Sequence, residues 1–248
     1  MDVDEFVHDA DPELMKKVGE LRKEFAVKAQ KIVHTVMPSK VLAMEELLQT
    51  DKLFTQSVDD LVKPEIPAMK QLAASRKRAA SGEPAGGPPG KKARVGEEIV
   101  SIPCNPAVQA MLRKLKKELL ELIENLNTVK IWIQLNIPRI EDGNNFGVGV
   151  QEETVSELGR AEDNAFSMLE SITKYYVARA KLVSKVTKYP EIVDYQQSIQ
   201  ELDEKEAINM RLCAIDLRNN YAILHDIVIK NLEKLKTPRT SSHMASLF

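Results

Sequence analysis

The sequence is poor in the side chains that enzymes most often use for catalysis and metal binding. Its 248 residues include only two cysteines, four histidines and one tryptophan. No histidine has metal-ligand spacing to another histidine or to a cysteine, and no G-x-x-x-x-G-K-[ST] phosphate-binding loop is present. We therefore expect no catalytic residue, no metal and no cofactor. Cys213 and His225 fall within helical patterns and are interpreted as structural.

Long apolar runs and a strong net charge are also missing. No stretch reaches the roughly 18 apolar residues of a membrane span, and the acidic start MDVDEFVHDAD lacks the apolar region of a secretion signal. The chain carries 35 basic and 37 acidic residues, a net charge of −2, which disfavours a nucleic-acid partner. Two cysteines cannot form a disulfide framework and fit a reducing compartment.

What the sequence has instead is the pattern of long amphipathic helices. Charged residues make up 29% of the chain and aromatic residues only 5%. Between residues 107 and 236 the only prolines are Pro138 and Pro190, which divide this region into helices near 107–137, 151–188 and 190–236. The first of these carries apolar residues at a spacing of three and four, namely Leu112, Leu115, Leu119, Leu122, Leu126, Val129, Ile133 and Ile137.

A fourth helix is predicted in the N-terminal part. Asp11–Pro12 is a helix-start signal, as Asn105–Pro106 is for the second helix. The N-terminal apolar stripe stops before Pro38, and a short amphipathic piece over 41–48 follows it. Four long helices with short connections predict an all-α, up-and-down four-helix bundle. Glu162 and Arg179 occupy positions where apolar residues are expected, and such residues often fix the register of a bundle.

Several isoleucines lie off the main apolar stripes. They suggest that the helices bury a second face, and hence that the chain associates with itself. These residues are Ile131, Ile140, Ile208, Ile223 and Ile229.

Proline and glycine predict an insert within the bundle. Residues 64–106 contain seven of the twelve prolines and five of the ten glycines. Such a segment cannot bury enough apolar surface to offset the entropy of ordering it, so a disordered linker is predicted. The resulting division is a helical part over 1–63, a basic linker over 64–105, three helices over 106–237 and a tail over 238–248.

The linker concentrates positive charge in two short clusters. Residues 76–94 hold six basic residues and one acidic residue. The spacing resembles a bipartite nuclear-import signal, which predicts a nuclear protein and leaves a cytoplasmic fraction open. A nucleic-acid contact or a solvated charge run are the alternatives, and no aromatic residue interleaves the basic ones to stack on bases. The clusters consist of Arg76, Lys77, Arg78, Lys91, Lys92 and Arg94.

Two further segments are candidates for function. The connection over 138–150 is longer than antiparallel helices need and is rich in turn formers, so a functional loop and a plain connector are equally supported. The C-terminal segment leaves the helix at Pro238 and ends in two apolar residues, Leu247 and Phe248. A frayed end is the commoner outcome for such a tail, and docking into a partner's pocket is the alternative.

The same segments carry a resemblance to a known family. The stretch IPRIEDGNNFGV at 137–148, followed by QEET at 151–154, resembles the activation-loop signature of the eleven-S proteasome activators, also called the REG family. Further matching stretches are NTVKIWIQL, RAKLVSK, KYPEIVDY, ELDEKE and LRNNYAILHDIVIKNLEKLKTPR. They cover most of residues 107–239, and RAKLVSK with the basic linker is most similar to the gamma type.

The resemblance implies a function and a set of roles. A homo-heptameric ring would cap the proteasome core particle without ATP, regulating an enzyme without being one, and would admit peptides and unfolded proteins. The implied core-particle anchor consists of Ser246, Leu247 and Phe248. Lys181 matches a lysine that lies toward the channel and affects substrate choice. The implied activation loop, which favours the open gate, contains Arg139, Asp142, Gly143, Asn144, Asn145, Phe146 and Gly147.

Two departures from the family and two alternatives stand beside this interpretation. The linker sequence SGEPAGGPPG is not a recognised family feature, although its placement and basic flanks fit the gamma type. The family's last residue is commonly Tyr, whereas Phe248 has no hydroxyl to donate a hydrogen bond. A nuclear helical scaffold that binds other proteins would need no effect on proteolysis. An enzyme with a site in the 138–150 connection is disfavoured by the scarcity of histidine and cysteine.

Overall fold

A computed structural model describes residues 11–62, 102–139 and 143–239. Within these ranges every regular element is helical and no strand occurs. A π-helical turn, Ile32–Val36, joins the first two helices. The helices are α1 Pro12–Lys31, α2 Met37–Thr50, α3 Lys52–Thr55, α4 Val58–Leu61, α5 Pro106–Leu135, α6 Phe146–Lys188, α7 Val193–Lys230 and α8 Leu232–Lys236.

Both predicted helix starts are confirmed. The Asp11 side chain accepts a hydrogen bond from the backbone of Glu13 at 2.8 Å. The Asn105 side chain accepts from Ala107 and Val108 at 3.0 and 3.1 Å. Each cap satisfies backbone donors that the first helical turn leaves without partners, and Pro at the next position has no N–H to satisfy.

The prediction that the N-terminal helix ends before Pro38 is wrong. The helix continues from the π-turn into α2 and ends at Thr50. A proline inside a helix lacks a donor and its ring clashes with the carbonyl four residues earlier. Here the N–H of Met37 donates to the Ile32 carbonyl, five residues back. This wider turn, placed directly before Pro38, accommodates the proline without ending the helix.

Other element boundaries also differ from the prediction. Helix α6 begins at Phe146 and not near residue 151, so Phe146, Gly147 and Gly149 belong to its first turns. The last predicted helix is divided at Asn231 into α7 and α8. The short helices α3 and α4 were not predicted. The division at 1–63, 64–105, 106–237 and 238–248 stays a prediction, because most of the proposed linker lies outside the described residues.

The described residues form two compact units. One unit contains the residues up to Gln49, from Lys116 to Leu169 and from Cys213 onward. It holds segments of α1–α2, α5, α6 and α7, and it therefore has the predicted four-helix arrangement. The α5 stripe is buried here, which confirms its periodicity; its buried members in this unit are Leu119, Leu122, Leu126, Val129 and Ile133.

Polar contacts in this first unit connect α2 to α5 and α5 to α6. Lys40 on α2 donates to Glu118 and Glu121 on α5 at 2.7 and 2.6 Å. Burial opposes the charge on Lys40, but the two carboxylates outweigh it and raise the lysine's pKa. Lys130 on α5 pairs with Glu162 on α6. Glu162 is buried, so the polar residue on the α6 stripe joins two helices as its position suggested.

The second unit contains residues 50–62, 102–115 and 170–212 of the described part. Its interior holds a buried polar network around Asp203. Asp203 accepts from the Tyr175 hydroxyl at 2.8 Å and from Arg179 Nε at 3.0 and 3.2 Å. The Arg179 Nη1 atom donates to the Pro103 carbonyl at 3.0 Å. Arg179, the second polar residue on the α6 stripe, thus has its charge neutralised by Asp203 inside the unit.

The buried surroundings of this network shift the pKa values of its side chains. Burial opposes the charge on Arg179, but the hydrogen bonds and charge of Asp203 outweigh it and raise the pKa of the guanidinium. Burial, with the nearby Cys104 and Asp203, raises the pKa of Tyr175. Glu206, one turn along α7, is also buried, and burial raises the pKa of its carboxyl group. Its Oε1 atom has no hydrogen-bond partner.

Candidate functional site

The α5–α6 connection adopts turn geometry where the sequence predicts it. Gly143 has φ of 80° and Asn144 has φ of 47°, which is the left-handed region. Glycine and asparagine are the residues that enter this region at least cost. The Asn145 carbonyl then accepts from the Gly149 N–H at 2.9 Å and opens the first turn of α6. Local chemistry therefore fixes where the connection ends and the helix begins.

The C-terminal segment after α8 lies against this connection. Arg239 Nη1 donates to the Arg139 carbonyl at 3.1 Å, and its Nη2 donates to Asn145 Oδ1 at 2.9 Å. The two acceptors come from opposite ends of the connection. A single guanidinium therefore joins both ends of the connection to the C-terminal segment.

Gly147 allows a close approach between α6 and the same segment. A Cβ atom at this position would lie 2.0 Å from the Pro238 carbonyl oxygen and 2.7 Å from its carbonyl carbon. Pro238 is buried. Any side chain at residue 147 would push the backbone at Pro238 away. Glycine is thus required at residue 147 because the Pro238 backbone packs directly against α6. The sequence had instead suggested that the loop conformation requires this glycine.

Gln151 holds three elements together at this end of the unit. Its side chain is fully buried, and Nε2 donates to the Asn136 carbonyl at 3.2 Å and to the Leu235 carbonyl at 2.9 Å. The end of α5, the second turn of α6 and the end of α8 therefore share one amide group. The carbonyls are ones that helix ends leave without intrahelical partners.

The outer surface of this end combines an apolar side chain with positive charge. Phe146, the first residue of α6, is 79% exposed. Arg139 is an exposed residue of the same α5–α6 connection. The N-terminus of a helix adds partial positive charge. Such a surface suits binding to another protein through an aromatic contact and acidic or carbonyl acceptors.

Among the described residues, no group of three His, Cys, Asp or Glu residues could hold a metal ion. No helix in the described ranges is long and apolar enough to cross a membrane. Cys213 is buried, as its position on the stripe indicated.

The predicted site residues are placed as follows. Arg139, Gly143, Asn144, Asn145, Phe146 and Gly147 lie together at the α5–α6 end of the first unit. Lys181 is an exposed residue of α6 within the second unit. The remaining predicted site residues lie outside the described residues, and they are Asp142, Ser246, Leu247, Phe248 and the six basic residues over 76–94.

Sequence reasoning missed Gln151 and Arg239. Both act on carbonyls or amides that are distant along the chain, 84 residues for Gln151 with Leu235 and 100 residues for Arg239 with Arg139. No local pattern marks such contacts. The one available signal was the placement of both residues inside the stretches that carried the family resemblance.

The fold and the site define a helical bundle protein in which an interhelical connection and the C-terminal segment meet at one end of the first unit. The sequence matches the family "Proteasome activator PA28, C-terminal" over residues 101–245 and "Proteasome activator PA28, N-terminal" over residues 12–68. Proteins named proteasome activator complex subunit 3 from Gallus gallus and Homo sapiens are 41% identical to it. Each alignment covers 94% of this chain and 95% of the relative.

Solved structures agree. The 11S subunit of the Plasmodium falciparum proteasome, PA28, is 32% identical, with a TM-score of 0.71 and coverage of 93% of this chain and 97% of that one. An activator in an archaebacterial 20S proteasome–PA26 complex shares the fold at 16% identity, with a TM-score of 0.54 and coverage of 84% and 93%.

The chain belongs to the PA28, or 11S, family of proteasome activators. This confirms the resemblance found in the sequence, including its gamma type, which is the subunit 3 of the named relatives. The family consists of regulators and not of proteases, so the interpretation of this chain as a non-enzyme is confirmed as well.

Proposed function

We propose that this protein activates the proteasome core particle without ATP by docking on its α-subunit ring and favouring the open gate. The observation that carries the proposal is the convergence of the α5–α6 connection and the C-terminal segment at one end of the bundle. Arg239 contacts the connection, and six residues separate it from the proposed anchor, which begins at Ser246. A tail that binds the core particle would therefore start beside the loop that acts on it.

The mechanism requires no bond to be broken by this chain. A loop that binds the open gate more tightly than the closed gate shifts the population toward the open state by its difference in affinity. The left-handed turn at Gly143 and Asn144, followed by the hydrogen bond from the Gly149 N–H to the Asn145 carbonyl, fixes the end of the connection that leads into α6. This part of the loop then loses little ordering entropy on contact, which preserves binding energy for the gate.

The active form in this proposal is a homo-heptameric ring. Both α6 and α7 expose several large apolar side chains, which association between copies of the chain would remove from water. Ile208, Ile223 and Ile229, which the sequence marked as lying off the main stripes, are among them. The others on these two helices include Phe166, Val177 and Leu212. Burial of these faces between copies of the chain supports self-association.

A ring also explains how short tails could suffice. Each tail on its own needs only weak affinity, because the first to bind raises the effective concentration of the others to about the millimolar range. The proposed anchor, Ser246 to Phe248, would supply two apolar side chains and a carboxylate to pockets between core α subunits. The partners admitted through the opened gate are peptides and unfolded proteins.

Two finer assignments belong to the same proposal. Lys181 is exposed on α6 and is proposed to face the channel and influence which peptides are cleaved. The basic clusters at 76–78 and 91–94 are proposed to direct the protein to the nucleus. Replacing the basic residues of both clusters with alanine tests the second assignment, and an unchanged nuclear location would refute it.

The direct test measures hydrolysis of short fluorogenic peptides by latent core particle. It compares the full chain with a version that ends at Ala245 and so lacks the proposed anchor. Stimulation by the full chain that is lost on truncation supports the activator and the anchor together. A confirmed heptamer that binds the core particle without stimulating it would refute gate opening, and one that does not bind would refute docking.

A further inference from the structure

The Arg239 side chain contacts both ends of the α5–α6 connection. Its two terminal nitrogens each serve a separate acceptor, the Arg139 carbonyl at 3.1 Å and Asn145 Oδ1 at 2.9 Å. Hydrogen bonds from a charged donor are stronger than those between neutral groups. One residue therefore limits the position of the backbone at Arg139 and of the side chain at Asn145.

The backbone that carries Arg239 is itself held in place. Pro238 is buried against the Cα of Gly147, where even a methyl group would overlap its carbonyl. Three residues before it, the Leu235 carbonyl accepts the buried amide of Gln151 at 2.9 Å. The guanidinium thus projects from a fixed base rather than from a free chain end. Both hydrogen bonds that it makes are exposed to solvent, but their donor is carried by a backbone whose position is fixed by packing.

We infer that Arg239 is a positioning residue for activation: it sets the geometry of the α5–α6 connection and couples it to the segment that leads into the tail. The inference rests on the proposed function, because it assigns a role at the same site. Coupling of this kind is reciprocal, so a force or displacement transmitted along the tail acts on Arg139 and Asn145, and the loop acts on the tail in return.

The chemistry of the side chain is suited to this role. The guanidinium is planar and carries five donors in a fixed fork, so it can hold two acceptors at a set separation. A lysine carries the same charge on a single flexible atom and does not impose that separation. A glutamine has a planar amide and no charge. A comparison of these three side chains at residue 239 therefore distinguishes the effect of the guanidinium's geometry from the effect of its charge.

The experiment compares Arg239→Ala, Arg239→Lys and Arg239→Gln with the wild-type chain. Two quantities are measured separately: the Kd for the core particle, and the stimulation of peptide hydrolysis at saturating activator. Ring formation is checked by sedimentation. Lys236→Ala serves as a matched control, because Lys236 is an exposed cation on α8 three residues before Arg239.

We expect the Arg239→Ala ring to bind the core particle within about threefold of wild type, a difference of less than one hydrogen bond. Maximal stimulation should fall by about five- to tenfold, the usual effect of one exposed hydrogen bond of ordinary strength on a conformational equilibrium. Arg239→Lys should recover only part of the loss. Lys236→Ala should match wild type in both quantities.

A double-mutant cycle tests whether Arg239 acts through Asn145. Asn145→Ala alone should reduce maximal stimulation, and adding Arg239→Ala should reduce it little further, because the shared contact is already gone. Additive losses would overturn the inference. If the alanine variant does not form rings, the cycle is made with Arg239→Gln, which keeps most of the side-chain length.

The remaining outcomes also test the inference about Arg239. Full stimulation by Arg239→Ala at saturation would overturn the inference, and so would a weaker Kd with unchanged maximal stimulation, which would make Arg239 an anchor only. A wild-type ring that binds but does not stimulate would count against the proposed function instead. The two failures are therefore distinguishable.

Discussion

Replacing Asp203 with asparagine tests whether the polar network in the second unit is as fully desolvated as the structure indicates. The Asp203 carboxylate accepts from the Tyr175 hydroxyl and from Arg179, and the Arg179 side chain is only 8% exposed. Asparagine has one acceptor oxygen, and its NH₂ group would face a donor. At least one buried donor loses its partner, and the guanidinium charge is left uncompensated.

The magnitude follows from these losses. An unsatisfied buried polar group costs about 1–3 kcal/mol, and removing one partner of a buried ion pair costs roughly 3–5 kcal/mol in total. Since both side chains are more than nine-tenths buried, solvent screening reduces this little. We expect Asp203→Asn to lower the free energy of unfolding by about 3–5 kcal/mol. Replacing the pair together, with Arg179→Met and Asp203→Leu, should cost far less, because no charge is then left buried.

The assay is urea unfolding followed by circular dichroism, with protein concentration held fixed because a ring's stability depends on it. Asp216→Asn is the matched control, since it makes the same change at an exposed position of α7. It should alter the unfolding free energy by less than about 0.5 kcal/mol. An Asp203→Asn protein that is equally close to wild type would refute the reasoning.

Four further changes have defined outcomes. Asn144→Val places a β-branched residue in the left-handed region, which costs roughly 1–2 kcal/mol; the ring should still form and bind the core particle, and peptide hydrolysis should show little activation. Glu206→Gln should stabilise the protein by about 1 kcal/mol at pH 7, since the buried carboxylate has an unpartnered oxygen. Because the pKa of Glu206 is raised in the folded state, its penalty is full above that pKa and declines as the pH falls from there to the ordinary value of 4.5, so urea unfolding should show the advantage of glutamine fading in acid. Lys181→Glu should change which fluorogenic peptides are cleaved faster, and an unchanged profile would contradict the channel assignment. Phe248→Tyr restores the family's usual terminal hydroxyl and should tighten core-particle binding by up to about tenfold, measured as a lower Kd.

Much of the fold could be predicted because it follows from local pattern. The spacing of Leu119, Leu122 and Leu126 marks a buried helical stripe without knowledge of its partners. The Asn105–Pro106 pair marks a helix start by its own hydrogen-bonding chemistry. The π-turn before Pro38 escaped prediction because proline normally ends a helix, and only the packing of the helix on both sides can favour the wider turn.

The candidate site was predictable only in part. Its turn formers, Gly143 and Asn144, are visible in the sequence, and the family resemblance marked the loop around them. The residues that hold the loop in place are not visible, because Gln151 and Arg239 act across distances that the chain bridges only after folding. Gly147 was noticed, yet for the wrong reason: the space it leaves belongs to Pro238.

The π-turn at Ile32–Val36 also interrupts the rotational phase between α1 and α2, the two helices that it joins. One residue of an α-helix corresponds to about 100° of rotation, and a turn closed over five residues contains one residue more than an α-turn. The exposed stripe of α1 includes Leu14 and Val18. The direction in which this stripe faces around the helix axis is therefore independent of the positions of the buried α2 residues Met37 and Met44. Deleting one residue from the turn would rotate that stripe by about 100° around the helix axis while Met37 and Met44 kept their places in the core.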